Sequence, residues 1–211
     1  FSGGDGSDYI QGDGGHNAVD YSGDAAGVQV TLNSYNGLGA SAGNATDASG
    51  GLDTLYNIGL VTGTGQDDTI NATYGVTIDA GQGDDSLMTG SYGLDSVIAG
   101  DGADRIVLRA STANNAEAVS YGQNTVDGGA GDDIFLAVGY WNATGTGAGG
   151  NLLTGGAGVD TYVVDPTNCC GSAINTPDII TDFAAGAGGD AIDLTVLIAD
   201  LQANHSMPAG T

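Results

Sequence analysis

A nine-residue repeat constrains this chain more than any other feature. The template is G-G-x-G-x-D-x-U-x, in which U is a large apolar residue. Full matches run over Gly3–Gln11, Gly128–Leu136 and Gly155–Val163. Partial matches begin at Gly12, Gly63, Ala80, Gly90 and Ala99. Such a period predicts a repeat architecture in which each unit buries its apolar side chain against its neighbours.

The repeat continues where its glycines have been lost. Polar residues at the aspartate position recur every ninth residue through the C-terminal half, at Asn124, Asp133, Asn142, Asn151 and Asp160. The apolar position of the same units holds Val126, Phe135, Thr144, Leu153 and Tyr162, so one unit is polar there. The segment between the full matches is therefore part of the repeat array.

Each nonapeptide divides into a glycine-rich turn and a short x-U-x strand. Glycine permits the positive φ of a tight turn, and the central strand residue points inward while its neighbours point outward. Two nonapeptides would form a coil of about 18 residues, stacked on the next at about 4.8 Å. We predict an all-β fold, a parallel β-roll or β-solenoid with a β-rich insertion. Its core residues are Ile10, Val19, Ile70, Ile78, Leu87, Val97, Ile106, Val126, Phe135, Leu153 and Tyr162.

The charge balance indicates a cationic partner. There are 26 acidic residues against two arginines, for a net charge of −24, and the only glutamate is Glu117. This excludes nucleic-acid binding, and the absence of a long apolar run argues against membrane insertion. Stacked aspartates would repel by roughly 3 kcal/mol per pair at an effective dielectric near 20. Ca²⁺, which accepts six to eight oxygens in flexible geometry, suits such turns better than Mg²⁺.

These motifs resemble the repeat-in-toxin (RTX) family of bacterial calcium-binding proteins. Two further stretches are similar to segments found in large secreted members: Val19–Asn71, which resembles a joining segment, and Asp178–Leu194, which resembles a closing segment. The resemblance implies Ca²⁺ as the cofactor and the residue at the aspartate position of each turn as its ligand. The implied ligands are Asp8, Asn17, Asp68, Asp85, Asp95, Asp104, Asn124, Asp133, Asn142, Asn151 and Asp160.

The two-per-coil rule assigns these ligands to edges. One edge should carry Asn124, Asn142 and Asp160, and the other Asp133 and Asn151, while Asp85 and Asp104 form a pair in the middle block. Asparagine supplies an oxygen but no charge, so an alternative is that some of these turns close by asparagine hydrogen bonds. Isolated aspartates such as Asp24 and Asp47 are interpreted as turn-forming residues.

The organisation that we predict has five parts. Residues 1–20, 63–109 and 110–165 are RTX repeats, the last with the asparagine-rich ladder. Residues 21–62 are a β-rich insertion, with an alternating strand at Val28–Leu32, and residues 166–211 are a closing segment. A short helix at Leu194–Ala203 is expected to cap the open sheet edge.

No catalytic constellation emerges, so we expect no enzyme activity. His16 and His205 lack a zinc motif, and G-x-S-x-G at Gly39–Gly43 lacks its strand-turn-helix context. The expected function is a structural segment of a surface-layer, fibre or adhesin protein, at the bacterial surface or outside the cell by type I secretion. It should self-associate into filaments or sheets when calcium binds.

Several alternatives remain open at this stage. The chain could be the accessory domain of a type I secreted protease, lipase or epimerase, or could bind carbohydrate at Tyr140 and Trp141. Phe1 begins inside a repeat, which indicates a fragment or a processed chain. The adjacent Cys169 and Cys170 are interpreted as ordinary thiols or a local disulfide, with an intermolecular link as the alternative.

Overall fold

A computed structural model describes residues 1–13, 16–35, 41–72, 75–89, 95–108, 124–138, 150–165 and 178–204. In these ranges almost all regular structure is β-strand, followed by one helix. The elements are β1 (Tyr9–Gln11), β2 (Ala18–Asp20), β3 (Gln29–Tyr35), β4 (Ser41–Thr46), β5 (Leu52–Ile58), β6 (Leu60–Thr62), β7 (Thr69–Ala72), β8 (Thr77–Gln82), β9 (Ser86–Met88), β10 (Ser96–Asp101), β11 (Arg105–Val107), β12 (Thr125–Ala130), β13 (Ile134–Val138), β14 (Leu152–Ala157), β15 (Thr161–Val164), β16 (Ile179–Ile180), β17 (Ala191–Asp193) and α1 (Thr195–Asn204).

The strands form two sheets between which the chain passes repeatedly. Sheet A has the order β1-β5-β4-β3-β7-β9-β11-β13-β15-β17, and sheet B has the order β16-β14-β12-β10-β8-β6-β2. From β6 onward, successive strands alternate between the sheets, and each pairs in parallel with the strand one coil away. The fold is thus mostly β with parallel sheets, consistent with the all-β, solenoid-like class that the repeat predicts.

The predicted core is confirmed residue by residue. All eleven apolar residues named from the repeat are buried, and the least buried of them, Ile10, is only 7% exposed. The neighbours of these residues are more exposed, as in the exposed-buried-exposed pattern of β1, except that Val163 beside Tyr162 is also buried. Phe135 and Tyr162 stack across neighbouring coils with ring centroids 4.8 Å apart. The x-U-x pattern therefore determines which side chains fill the space between the sheets.

The predicted insertion contributes three strands to sheet A. Strand β3 contains most of the alternating segment expected at Val28–Leu32, and β3–β4 and β4–β5 are antiparallel pairs. The hairpins lie between β1 and β7, which pair in parallel with β5 and β3 respectively. The insertion therefore extends sheet A and keeps its strands in register with the repeats.

The short helix is also confirmed, one residue later than expected. Helix α1 spans Thr195–Asn204 and approaches β15. Its Ile198 and Leu201 are 51% and 37% exposed, so its proposed role as a cap stays a prediction. Within the described part of the chain, no helix has the length and apolar character needed to cross a membrane.

The predicted coil length is wrong for the C-terminal repeats. Neighbouring coils are offset by 17 or 19 residues around Asp85, but by 29 and 27 residues around Asp133. Asp133 and Asp160 therefore stand in the same column, and Asn124 is beside Asn151, in contrast to the edges assigned from the sequence. The implied ligand Asn142 lies between β13 and β14, outside the described residues.

Candidate functional site

Five buried aspartates form a column along the edge where the chain passes from sheet B to sheet A. Each stands directly before a strand of sheet A, and none is more than 2% exposed. We call this set the aspartate column: Asp68, Asp85, Asp104, Asp133 and Asp160. Carboxylates are seldom buried so completely unless something is paired with them. The aspartate column is therefore where, among the described residues, buried carboxylates most need a partner.

Glycines bring the turns close enough to form this column. Gly100 and Gly129 have φ of 118° and 101°, values that other residues rarely adopt. A Cβ at Gly129 would lie 2.0 Å from the carbonyl oxygen of Gly100, and a Cβ at Gly156 would lie 2.0 Å from that of Gly129. Backbone oxygens of one turn thus pack directly against the next, beside the aspartate column.

One carboxylate oxygen of each aspartate is engaged by the backbone of the preceding coil. The N–H groups of Asp85, Asp104 and Asp133 donate to Oδ1 of the next aspartate in the column, at 2.8, 2.9 and 3.0 Å. The same bond joins Asp68 to Asp85 at 2.7 Å, and Asp160 to Asp190 beyond the end of the column at 3.0 Å. These bonds hold the side chains in register with the coils.

The second carboxylate oxygen has no donor at three consecutive positions. Oδ2 of Asp85, Asp104 and Asp133 is buried and forms no hydrogen bond. The Oδ2 of Asp133 points into its own turn, since a Cβ at Gly128 would lie 2.3 Å from it. A buried carboxylate oxygen without a partner is costly, so these three turns require either a proton or a cation.

Asp68 differs from the other members because its own turn satisfies it. Its Oδ2 accepts the Thr64 N–H at 2.6 Å, and its Oδ1 accepts the Val28 N–H at 2.7 Å and the Thr64 hydroxyl at 3.0 Å. The turn closes by hydrogen bonds, so of the implied ligands in the column Asp68 has the least need of a cation.

Burial makes the column resist ionisation. It raises the pKa of Asp85 to about 8, of Asp133 to about 7 and of Asp104 to about 6. Neighbouring carboxylates raise the pKa values further, as Asp104 and Asp160 do for Asp133, while the backbone N–H bonds oppose the shift. The column therefore favours any species that brings positive charge to it.

A second column on the other edge consists of both aspartate and asparagine. Its residues precede β10, β12, β14 and β16, and each N–H donates to Oδ1 of the next. The bonds are Asp95 to Asn124 at 3.1 Å, Asn124 to Asn151 at 3.3 Å and Asn151 to Asp178 at 2.6 Å. Neutral amides in the middle need no counter-charge, so this geometry supports the hydrogen-bonding alternative for Asn124 and Asn151.

The two N-terminal candidates have different surroundings. Asp8 donates its N–H to Oδ1 of Asp53 at 3.0 Å, and its own Oδ2 is buried without a hydrogen bond. Asn17 directs its amide NH₂ to the carbonyl oxygens of Asp13 and Asn57, at 2.7 and 2.9 Å. Asp8 therefore resembles the aspartate column, whereas Asn17 closes a turn as a donor.

The insertion aspartate Asp47 does form a turn, as expected, but it is not at the surface. It is 6% exposed, and its Oδ1 accepts the N–H of Ser49 and of Gly51 at 2.9 and 2.8 Å. Hydrogen bonds from Ser49 hold its pKa below the usual range. Its Oδ2 is buried without a hydrogen bond, as in the aspartate column, but the bonds from Ser49 and Gly51 favour its ionised form.

Three residues that accept these hydrogen bonds were not identified by the nonapeptide template. Asp53, Asp178 and Asp190 receive the bonds from Asp8, Asn151 and Asp160 respectively. Asp53 is fully buried and its Oδ2 accepts the Tyr21 hydroxyl at 3.1 Å. Each is followed by x-U, as in Asp53-Thr-Leu and Asp190-Ala-Ile, so a search for the strand half of the repeat alone would have found them.

Carboxylates alone do not complete a metal site. Within the described ranges, no three or more His, Cys, Asp or Glu side chains are grouped closely enough to hold an ion. A cation at the aspartate column would need backbone carbonyl oxygens or water as well. No family model, curated protein or solved structure matches this chain.

Proposed function

We propose that this chain is an extracellular repeat segment whose glycine turns bind calcium at the aspartate column. The observation that supports it is the unpartnered, buried Oδ2 of Asp85, Asp104 and Asp133. An ionised carboxylate in that position is unfavourable unless a cation compensates it. Calcium would neutralise the repulsion along the column and bridge turns that are already held in register by hydrogen bonds.

The donor set at these turns favours calcium over other metals. The turns offer carboxylate oxygens and the backbone carbonyls of stacked glycines such as Gly100 and Gly129, with no nitrogen or sulfur ligand among the described residues there. Oxygen ligands in a flexible arrangement suit Ca²⁺, while Mg²⁺ needs a tight octahedron and zinc prefers histidine and cysteine. The residues present therefore fit calcium.

The proposed role is structural. Calcium in the turns would close the two sheets into a parallel β-roll and hold it rigid. Extracellular modules bind calcium at about 10⁻⁴ to 10⁻³ M, so the chain would fold after export, for which we propose type I secretion. Neutralising a net charge of −24 would also allow copies to associate, as a surface-layer, fibre or adhesin protein requires.

A calcium titration tests this proposal. Far-ultraviolet circular dichroism and calorimetry should show β structure and binding heat that grow together between micromolar and millimolar calcium at pH 8. Magnesium at the same concentrations is the control, and it should give a much smaller change. An unchanged spectrum and no binding heat across the titration would reject calcium as the cofactor.

A further inference from the structure

Among the described residues, the outward side of the N-terminal half of sheet A carries no charged side chain. Along each strand the alternate residues are buried, among them Ile10, Leu55 and Ile70, so the others face outward. We call the outward set on β1, β5, β4, β3 and β7 the neutral face: Tyr9, Gln11, Leu52, Thr54, Tyr56, Asn44, Thr46, Gln29, Thr31, Asn33, Thr69 and Asn71. The outward side of sheet B carries Asp20, Asp79 and Asp127.

This absence of charge is unexpected in a protein of net charge −24. Solubility is served by charged surface residues, and sheet B has them. Hydroxyl and amide side chains on the neutral face instead present donors and acceptors without attracting ions. The neutral face therefore differs in chemistry from the acidic turns on which the calcium proposal rests.

The polar side chains of the neutral face stand in rows that cross the strands. One row follows the pairs Tyr9–Thr54, Thr54–Asn44, Asn44–Thr31 and Thr31–Asn71. Neighbouring strands are about 4.8 Å apart, so each row repeats its hydrogen-bonding groups at that interval. A periodic array of this kind suits an extended polymer better than a compact ligand.

Two aromatic rings lie at one end of the neutral face. Tyr9 and Tyr56 are 66% and 43% exposed, and their ring centroids are 5.3 Å apart. The Tyr9 hydroxyl donates to Oε1 of Gln11 at 3.0 Å, which holds the ring along the strand. Leu52 on the same face is 54% exposed. Exposed apolar groups gathered in one place mark binding surfaces more often than isolated ones do.

We propose that the neutral face binds a neutral polysaccharide with flat sugar rings, of the β-1,4-linked glucan class. Such rings expose apolar C–H faces that stack on aromatic side chains, and equatorial hydroxyls that pair with amides and hydroxyls at the ring edge. Tyr9 and Tyr56 provide the stacking platform, and the row through Asn44 and Thr31 provides the hydrogen bonds. The absence of charge matches an uncharged polymer.

A second copy of the chain fits this face less well. Interfaces between identical subunits are more apolar than the general surface at their centre, and threonine and asparagine rows would lose water without matching partners. The proposal is also independent of the calcium site, because the aspartate column lies at the turn edge and its residues face the interior.

The test uses the whole chain in millimolar calcium. Co-sedimentation with microcrystalline cellulose and gel retardation by hydroxyethylcellulose measure binding, and alginate serves as an anionic control. We expect retention by the two glucans, no retention by alginate, and at least about tenfold weaker binding by the double variant Tyr9→Ala/Tyr56→Ala. Ile134→Ala, an exposed apolar residue of sheet A outside the neutral face, should bind as the original chain does.

A second substitution guards against a double variant that fails to fold. Asn44→Asp keeps the size of an exposed side chain but adds a charge in the middle of the neutral face, and it should also weaken binding. Circular dichroism in calcium reports folding separately from glucan binding. A folded protein that binds neither glucan would therefore overturn this proposal and leave the calcium proposal standing. Equal binding by the original chain and a folded double variant would overturn it too.

Discussion

Asp133→Asn is the most informative single change in the aspartate column because it removes charge while it preserves shape. Oδ1 of Asp133 accepts the Asp104 N–H at 2.9 Å, and its Oδ2 is buried without a partner. Asparagine keeps an oxygen for that bond and places an NH₂ group where Oδ2 was. In the calcium-loaded fold, the substitution removes a charged ligand of the ion. In the calcium-free fold, it removes an uncompensated buried charge. The sign of its effect on stability should therefore depend on calcium.

The magnitude follows from the spacing of the column. Asp104 and Asp160 are the charged neighbours of Asp133 on either side, in strands about 4.8 Å apart. Unit charges at that distance repel by roughly 3 kcal/mol at an effective dielectric near 20, and partial protonation relieves some of this. We expect Asp133→Asn to stabilise the calcium-free fold by about 1–3 kcal/mol at pH 8. It should destabilise the calcium-loaded fold by a similar amount, about 1–3 kcal/mol, through weaker binding.

Urea unfolding at pH 8 measures both effects, in millimolar calcium and in chelator with trimethylamine oxide added to maintain the calcium-free fold. The matched control is Asp132→Asn, because Asp132 is adjacent and exposed and its Oδ1 accepts the Val159 N–H at 2.8 Å. The control should change the free energy of unfolding slightly and equally in both conditions. If Asp133→Asn shifts the free energy of unfolding in the same direction and by the same amount with and without calcium, the proposal that the column binds a cation is refuted.

Three further predictions follow from the same geometry. The first concerns pH: the pKa values of Asp85, Asp104 and Asp133 are about 8, 6 and 7 in the fold, against about 3.9 in the unfolded chain. The stabilisation that these raised pKa values give is fully present below about pH 4 and is lost as the pH rises through about 6 to 8. Calcium-free protein held folded by trimethylamine oxide should therefore unfold at a lower urea concentration at pH 8 than at pH 5. Saturating calcium should reduce this pH dependence, and equal calcium-free midpoints at the two pH values would contradict the prediction. The second concerns the turns: Gly129→Ala combines a positive φ with a Cβ clash, so it should lower the free energy of unfolding by at least about 3 kcal/mol, as measured by thermal or urea unfolding. The control Gly4→Ala has a positive φ but open space around the Cβ, so it should lower that free energy by only about 1 kcal/mol. Light scattering under reducing conditions should show association that grows with calcium, and a monomer at saturating calcium would remove the assembly proposal.

The core was predictable because the x-U-x strand leaves little choice. In a three-residue strand the central residue and its two neighbours point to opposite faces, so the central apolar side chain is inward whichever coil it belongs to. Coil length was not predictable in the same way. A ninefold period is equally compatible with two or three nonapeptides per coil, and only the strand register decides that Phe135 lies beside Tyr162 rather than beside Leu153.

The candidate site was predictable to a similar extent. The full nonapeptide at Gly128 and the partial matches at Ala80 and Ala99 single out Asp133, Asp85 and Asp104, and the structure buries all three in one column. Their role as calcium ligands stays a prediction. The template could not show that Thr64, standing where a second glycine is expected, would satisfy Asp68 with its own N–H and hydroxyl. Nor could it show Asp53, whose partner Asp8 is brought to it by the insertion hairpins.

The most direct test of the calcium proposal is long-wavelength anomalous diffraction from crystals grown in millimolar calcium. The prediction is an anomalous-difference peak beside Oδ2 of each of Asp85, Asp104 and Asp133, the buried carboxylate oxygens of the aspartate column that have no hydrogen-bond donor. Crystals that retain the aspartate column but show no peak at any of the three positions would contradict the proposal and leave protonation as the means by which the column is neutralised.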